Sequence, residues 1–219
     1  MAGTSGDALH CTGIAISLAD NFRAAEIVWR NAPGMAYAAY MRKSSSRRAI
    51  PAGRARGRRM KDALKKLERI AALLREETTL SLATTSQDGE VSVAPLFYIA
   101  DGDLSLYWLS SEDSLHSQNL KSQPRVAATV YRNAMSWREI RGIQTRGSVG
   151  KVTDSELRRL LIAAYCERFK LGRVLQLAVR QSVLYSFKPE FFRYIDNARG
   201  FGCKFELTRQ PAGWSLTRP

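Results

Sequence analysis

The sequence predicts a mainly β, α+β domain: a small antiparallel barrel of six or seven strands with flanking helices. Three observations predict it. From Thr79 onward, apolar residues alternate with a period of two in several short runs. Tight-turn sequences join successive runs. Segments with helical spacing lie before and between them. Strands that follow one another through tight turns build an antiparallel sheet, and this many in about 160 residues closes into a barrel with helices over its openings.

In the first helix, Lys61 to Glu77, the apolar positions Leu64, Leu67, Ala71 and Leu74 recur at spacings of three and four. Thr79 to Thr85 reads as a strand, Gln87-Asp88-Gly89-Glu90 supplies a turn, and Val91, Val93, Phe97 and Ile99 alternate through the second strand of a hairpin. After Asp101-Gly102-Asp103, Leu104, Leu106 and Trp108 mark a third strand. Ser110-Ser111-Glu112-Asp113 offers N-caps for a short helix to about Ser122, closed by Pro124. Val126, Ala128 and Val130 form a fourth strand. Ile140 to Val152 forms a long fifth, whose Gly142, Gly147 and Gly150 predict bulges or close approach of another group. Thr153-Asp154-Ser155-Glu156 reads as a capping box for a helix through Phe169, with a second helical stretch beyond a break at Gly172. Val183, Tyr185 and Phe187 alternate, Pro189 resets the parity before Phe192 and Tyr194, and Phe201 to Leu207 forms the last strand.

With 219 residues, 45% of them apolar, the chain has material for one ordinary core, assigned here to residues 60–219. No apolar run approaches the roughly 20 residues that span a bilayer, so no membrane partner is expected. Cys11, Cys166 and Cys203 are odd in number, far apart and without a CxxC pair, which points to a reduced, cytoplasmic setting. His10 and His116 are the only histidines, too few for a histidine-rich metal centre, and no metal is expected.

The formal charge is +14, and half of it lies in the tail: ten basic and three acidic residues up to Arg59. The run from Arg42 to Arg59, among Ser, Ala, Pro and Gly, is expected to stay solvated and disordered and not to bind nucleic acid. Residues 1–59 otherwise read as a transit segment or as sequence upstream of a true start at Met60; the second is preferred, because the helical pattern begins there.

No GxSxG elbow, HExxH helix or Walker loop is present, so hydrolase chemistry is not indicated. His116 on a short helix reads more simply as a surface or capping residue than as a base. Two segments have binding chemistry. Trp108 to His116 runs a strand into a hydroxyl-rich helix start, where backbone N–H groups and serines suit a phosphate; ordinary helix capping is the plain alternative. Asp196 to Lys204 is a glycine-rich turn holding Phe201 between Arg199 and Lys204, suited to a planar anion or to a simple turn between strands.

These pieces together resemble the pyridoxamine 5′-phosphate oxidase-like split-barrel superfamily, which binds flavin mononucleotide (FMN), and within it the YhbP-like group. The resemblance covers about residues 62–207. It rests on Leu80-Ser81-Leu82-Ala83-Thr84, Asp88-Gly89, Val93 to Tyr98, Leu106 to Ser111, Ser114 to Leu120 and Pro124 to Ala127. Ile140-Arg141-Gly142-Ile143-Gln144, Gly147, Asp196-Asn197, Gly200-Phe201-Gly202 and Lys204 carry the group-level likeness. The resemblance implies a split barrel, a homodimer with FMN in each of two interface clefts, and flavin-dependent oxidoreductase activity on a small-molecule substrate or nicotinamide nucleotide. It points to Val93, Ala94, Pro95 and Leu96 along the flavin ring and to Ser110, Ser111, Ser114 and His116 at the phosphate. Many relatives carry an Arg-Lys pair where this chain has Leu115-His116, which leaves Arg141, Arg146 or Lys204 to supply the charge, with Gly200 and Phe201 beside the ligand. Relatives of the same fold also use a deazaflavin or haem, and non-catalytic flavin or haem storage or sensing is the competing expectation.

Overall fold

The computed structural model describes residues 54–211 and 213–218. The chain runs α1 (Arg54–Glu76), β1 (Thr79–Thr85), β2 (Val91–Phe97), β3 (Ile99–Ala100), β4 (Leu106–Ser110), α2 (Leu115–Ser122), β5 (Arg125–Tyr131), β6 (Arg141–Lys151), α3 (Ser155–Arg168), α4 (Arg173–Gln181), β7 (Val183–Asp196), β8 (Lys204–Gln210) and β9 (Gly213–Arg218). Single 3-10 turns lie at Trp137–Glu139 and Asn197–Arg199. All pairings are antiparallel, in the order β2-β1-β5-β6-β7-β4-β3, with β8 on the second half of β7 and β9 on β8.

β2 and β3 lie at opposite ends of that order although only Tyr98 separates them. The two margins of the sheet must therefore be brought together at one residue, which rolls the sheet into a barrel left open along β2. Tyr98 is fully buried, donates its hydroxyl to the Leu74 carbonyl (2.9 Å) and its N–H to the Thr78 carbonyl (3.1 Å). α1 plugs the barrel with Ala63, Leu67, Ile70, Leu73 and Leu74, so its buried stripe is rotated from the expected one: Leu64 and Ala71 are only half-buried. Arg168 at the end of α3 bonds the Arg75 and Glu77 carbonyls, each at 2.8 Å, and closes the C-terminus of α1. The core is completed by buried residues of every other long strand, including Leu80, Leu82, Trp108, Val130, Ile143, Phe187, Phe192 and Leu207, with the half-buried Leu96 of β2 packed against them.

Several expectations are corrected. α1 begins at Arg54, so the Arg54 to Arg59 end of the presumed disordered tail is helical; Arg and Ala are good helix formers, and extending an existing helix costs far less than nucleating one. The tail readings for the residues before 54 lie outside the described residues. The third strand starts at Leu106, because Leu104 takes a left-handed backbone (φ 65°) in the preceding turn. The N-cap of α2 is Ser114, one residue beyond the four candidates. Asp154, not Thr153, caps α3, accepting from the Leu157 N–H at 2.8 Å. The last expected strand starts at Lys204, with Phe201 in the turn before it. β9 was not expected from the pattern.

Pro189 does reset the parity, within one continuous strand. The β6–β7 register jumps between Arg146, opposite Phe191, and Gly147, opposite Pro189. This bulge puts Phe187 and Phe192 on the same inner face and places proline where the ladder is interrupted. A Cβ on Gly147 would stand 2.1 Å from the Lys188 carbonyl oxygen. Gly147→Ala is accordingly expected to destabilise the fold by about 3 kcal/mol, read from the urea midpoint, because backbone and not a flexible side chain would have to yield.

The turn from β3 to β4 is built on Asp101, whose buried carboxylate accepts from the Asp103 and Ser105 N–H groups (2.9 Å each) and the Tyr107 hydroxyl (2.8 Å). Burial pushes this carboxyl up to about 6, against the opposing pull of the Tyr107 bond. The folded state thus holds the proton more tightly than the unfolded chain, so this group's contribution to stability falls as pH rises from about 4 to about 6. In Asp101→Asn that component should vanish: the difference in unfolding free energy between parent and variant should change across pH 4 to 6 and be flat above about 7.

Candidate functional site

Ser110 ends β4 on the inward face it shares with Leu106 and Trp108, and the chain then turns into α2. Ser110 Oγ and Ser114 Oγ lie 2.8 and 3.1 Å from His116 Nε2 and 3.1 Å from each other. Ser114 Oγ also reaches Ser117 Oγ at 2.8 Å. Ser114 makes no side-chain cap bond to the helix, which leaves the first-turn N–H groups for an outside acceptor. Three of the four residues expected at a phosphate therefore converge; Ser111 Oγ instead accepts from the Asp113 N–H, at 3.2 Å. Burial lowers the pKa of His116, so the imidazole is neutral at pH 7 and brings hydrogen bonding without charge. Glu112 and Lys151 pair beside the cluster.

Sequence reasoning missed what holds α2 in place. Asn119, buried, donates to Thr84 Oγ1 (3.1 Å) and Ser92 Oγ (3.2 Å), themselves 3.0 Å apart across the β1–β2 pair. This fixes α2 over the hairpin and beside β2. The available signal was a polar residue among the helix positions that face the core, matched by Thr84 and Ser92 on two strands.

β2 is the margin of the sheet, paired on one side only, which suits Pro95. Its side chains alternate: Val91, Val93, Pro95 and Phe97 face outward and exposed, while Ser92, Ala94 and Leu96 are half-buried. The four residues expected along a ring thus divide between two faces. Val93 and Pro95 face out, Leu96 packs on the core, and what the strand offers a ligand in common is its edge.

Arg141, Gly200, Phe201 and Lys204 form a separate group. Arg141 Nε lies 3.6 Å from Asp196 Oδ1, and Lys204 pairs with Ile195. Asn197 organises the turn, donating its side-chain N–H to the Trp137 carbonyl (2.9 Å) and accepting from the Gly202 N–H (3.1 Å). Gly200 and Gly202 sit at φ of 139° and 69°, where side chains are strained. Phe201 is 84% exposed and meets Trp137 edge-on at 5.6 Å, with the Arg138 guanidinium 4.8 Å above the Trp137 ring. Trp137 was also missed. Arg146 lies elsewhere on β6, stacked 3.9 Å over Phe191.

The two groups are far apart. Ser110 is opposite Val183 at the start of β7, whereas Arg141 is opposite Asp196 at its end. At roughly 3.3 Å per residue, those ends of β7 are on the order of 40 Å apart along the strand. One protomer does not gather them around one ligand. A cavity of about 500 Å³ between the Asp101 turn and the start of α3, lined by Asp101, Asp103, Tyr107, Lys151 and Lys188, includes neither group.

Comparison with known proteins gives the following. The family model described as pyridoxamine 5′-phosphate oxidase matches residues 67–190, more than half of the chain. The UPF0306 protein YhbP of Escherichia coli O157:H7 (strain EC4115 / EHEC) is 32% identical over 119 residues, covering 54% of this chain and 77% of that protein. Among solved structures, a pyridoxamine 5′-phosphate oxidase-related, FMN binding protein from Nostoc punctiforme PCC 73102 is 14% identical with a TM-score of 0.50, covering 78% of this chain and 100% of that one. A heme binding protein from Mycobacterium smegmatis is likewise 14% identical with a TM-score of 0.50, covering 62% and 55%. At these identities the two structures speak to the fold. Among the described residues, no helix is long and apolar enough to cross a membrane.

Proposed function

The chain belongs to the pyridoxamine 5′-phosphate oxidase family, in the UPF0306 group that includes YhbP, and from this we propose that it is an FMN-binding oxidoreductase working as a homodimer. One observation carries the reading: Ser110, Ser114 and His116 converge at the uncapped start of α2, beside the unpaired edge of β2. Hydroxyl and amide donors suit a phosphate monoester, and a bare strand edge offers backbone donors and acceptors to a flat heterocycle. The donor set fits FMN in hydrogen bonding but brings no fixed cation to the phosphate, since burial biases His116 toward its neutral form. In this reading the missing cations come from the second copy, whose Arg141 and Lys204 complete a cleft that one protomer cannot.

Bound FMN would supply the redox chemistry, taking hydride from a nicotinamide nucleotide or a small-molecule substrate. The tasks left to the chain are to bind, orient and shield. Ser110 and Ser114 hold the phosphate end, and α2 is kept in register by Asn119. This accounts for a site with no acid–base constellation of its own.

Haem is the second reading. The exposed Phe201–Trp137 pair with Arg138 and Arg141 nearby has the character of a planar-anion site, and a haem-binding protein shares the fold. Against it, His116, the one histidine among the described residues, lies at the far end of β7 from that pair.

The first test is the absorption spectrum of the purified protein with identification of any chromophore released by heat. The expected result is a two-banded flavin spectrum, FMN in the supernatant, and bleaching on addition of NADH or NADPH. A haem Soret band, or a colourless protein that takes up no added FMN, would overturn the flavin reading. A second test is His116→Lys, which places a fixed cation at the phosphate. It should tighten FMN binding about tenfold at pH 7, near 1.4 kcal/mol, by fluorescence titration. Parent affinity should rise as pH falls through the lowered His116 pKa, while the lysine variant stays flat.

A further inference from the structure

α4 is amphipathic in the wrong direction for a protomer that stands alone. None of its residues is buried, and Val174, Leu175 and Leu177 are 81%, 57% and 63% exposed. A helix normally turns such residues toward a core, and a contiguous exposed apolar face marks an interaction surface. A second uncovered apolar face lies on β2, where Val91, Val93 and Phe97 are exposed. The Phe97 ring, 54% exposed at the end of β2, lies 4.9 Å from that of Phe169, which caps α3 and packs with Leu171 on the small core beneath it. Leu171 leads directly into α4.

The two apolar faces are flanked by opposite charge. α4 carries Arg173 and Arg180 and no acid, whereas the outward Val91 and Val93 of β2 are preceded by Asp88 and Glu90 on the hairpin turn. One chain therefore holds both a cation-flanked apolar helix and an acid-flanked apolar strand. Two copies related by a two-fold axis satisfy both at once, each giving its helix to the other's strand.

We propose that α4 of one copy seats on β2 of a second copy, with Val174, Leu175 and Leu177 covering the partner's outer β2 face. This rests on the homodimer reading above and names the segment that makes the contact.

The test is the mass of the full-length protein in solution by sedimentation equilibrium, for the parent, for the double variant Leu175→Asp/Leu177→Asp, and for Val93→Asp. All three positions are exposed, so unchanged far-UV circular dichroism should show that each protomer still folds. The parent should have twice the chain mass. Both variants should raise the dimer dissociation constant at least about a hundredfold. A monomeric parent, or a dimer unmoved by the α4 substitutions, would sink the proposal, as would a dimer that depends on α4 but not on Val93. Binding of the parent to anionic phospholipid vesicles, lost in the double variant while the mass stays dimeric, would assign the face to a membrane instead. Flavin content is not the readout, so the two ideas fail separately: a colourless parent that dissociates on substitution keeps this contact and loses the flavin, and a yellow variant that stays dimeric does the reverse.

Discussion

A single residue sets the geometry on which the rest of this protein depends. β2 and β3 occupy opposite margins of one sheet, yet only Tyr98 lies between them, and that corner is anchored by the Tyr98 hydroxyl on the last turn of α1. The sheet has to roll until its margins meet, and it meets them only there. Along the rest of β2 the ladder stays open, so backbone polar groups and outward Val91, Val93 and Phe97 are left uncovered. An open edge with apolar side chains is a liability in an isolated protomer and an asset beside a ligand or a second copy. The proposals for both the cofactor and the contact made by α4 come from this one consequence of the fold.

The surrounding structure protects that arrangement. α1 fills the barrel and is closed at its C-terminus by Arg168, which reaches across from α3. The β6–β7 bulge lets a strand containing Pro189 keep aromatic residues on one inner face, at the cost that position 147 admits no side chain. Asn119 ties α2 to two strands through buried hydrogen bonds, which in a low-dielectric setting are costly to lose singly. The hydroxyl cluster at the start of α2 is therefore held by rigid elements.

Electrostatics divides the candidate site. At the α2 end the donors are neutral: two serine hydroxyls, helix amides and an imidazole whose burial keeps it uncharged. At the other end of β7 lie the cations Arg138, Arg141 and Lys204 and an exposed aromatic pair, with Arg138 over the Trp137 ring. This separation of charge from hydrogen bonding within one protomer is the reason the proposed cofactor site is shared between two copies.

The sequence by itself determined most of the elements and where the two candidate segments lie along the chain. Period-two alternation, the Asp88-Gly89 and Asp101-Gly102 turns, the parity change at Pro189 and the serine-rich entry to α2 are local patterns, and local backbone preferences read them directly. What it did not determine was long-range. β9 follows a turn with weak chemistry, the rotation of the buried stripe of α1 depends on which barrel wall it meets, and the helix extends to Arg54 by propagation from its packed half. Above all, only the tertiary structure decided that residues expected around one ligand lie at opposite ends of β7. Strand order is set by pairings between residues far apart in sequence, and no local period carries that information.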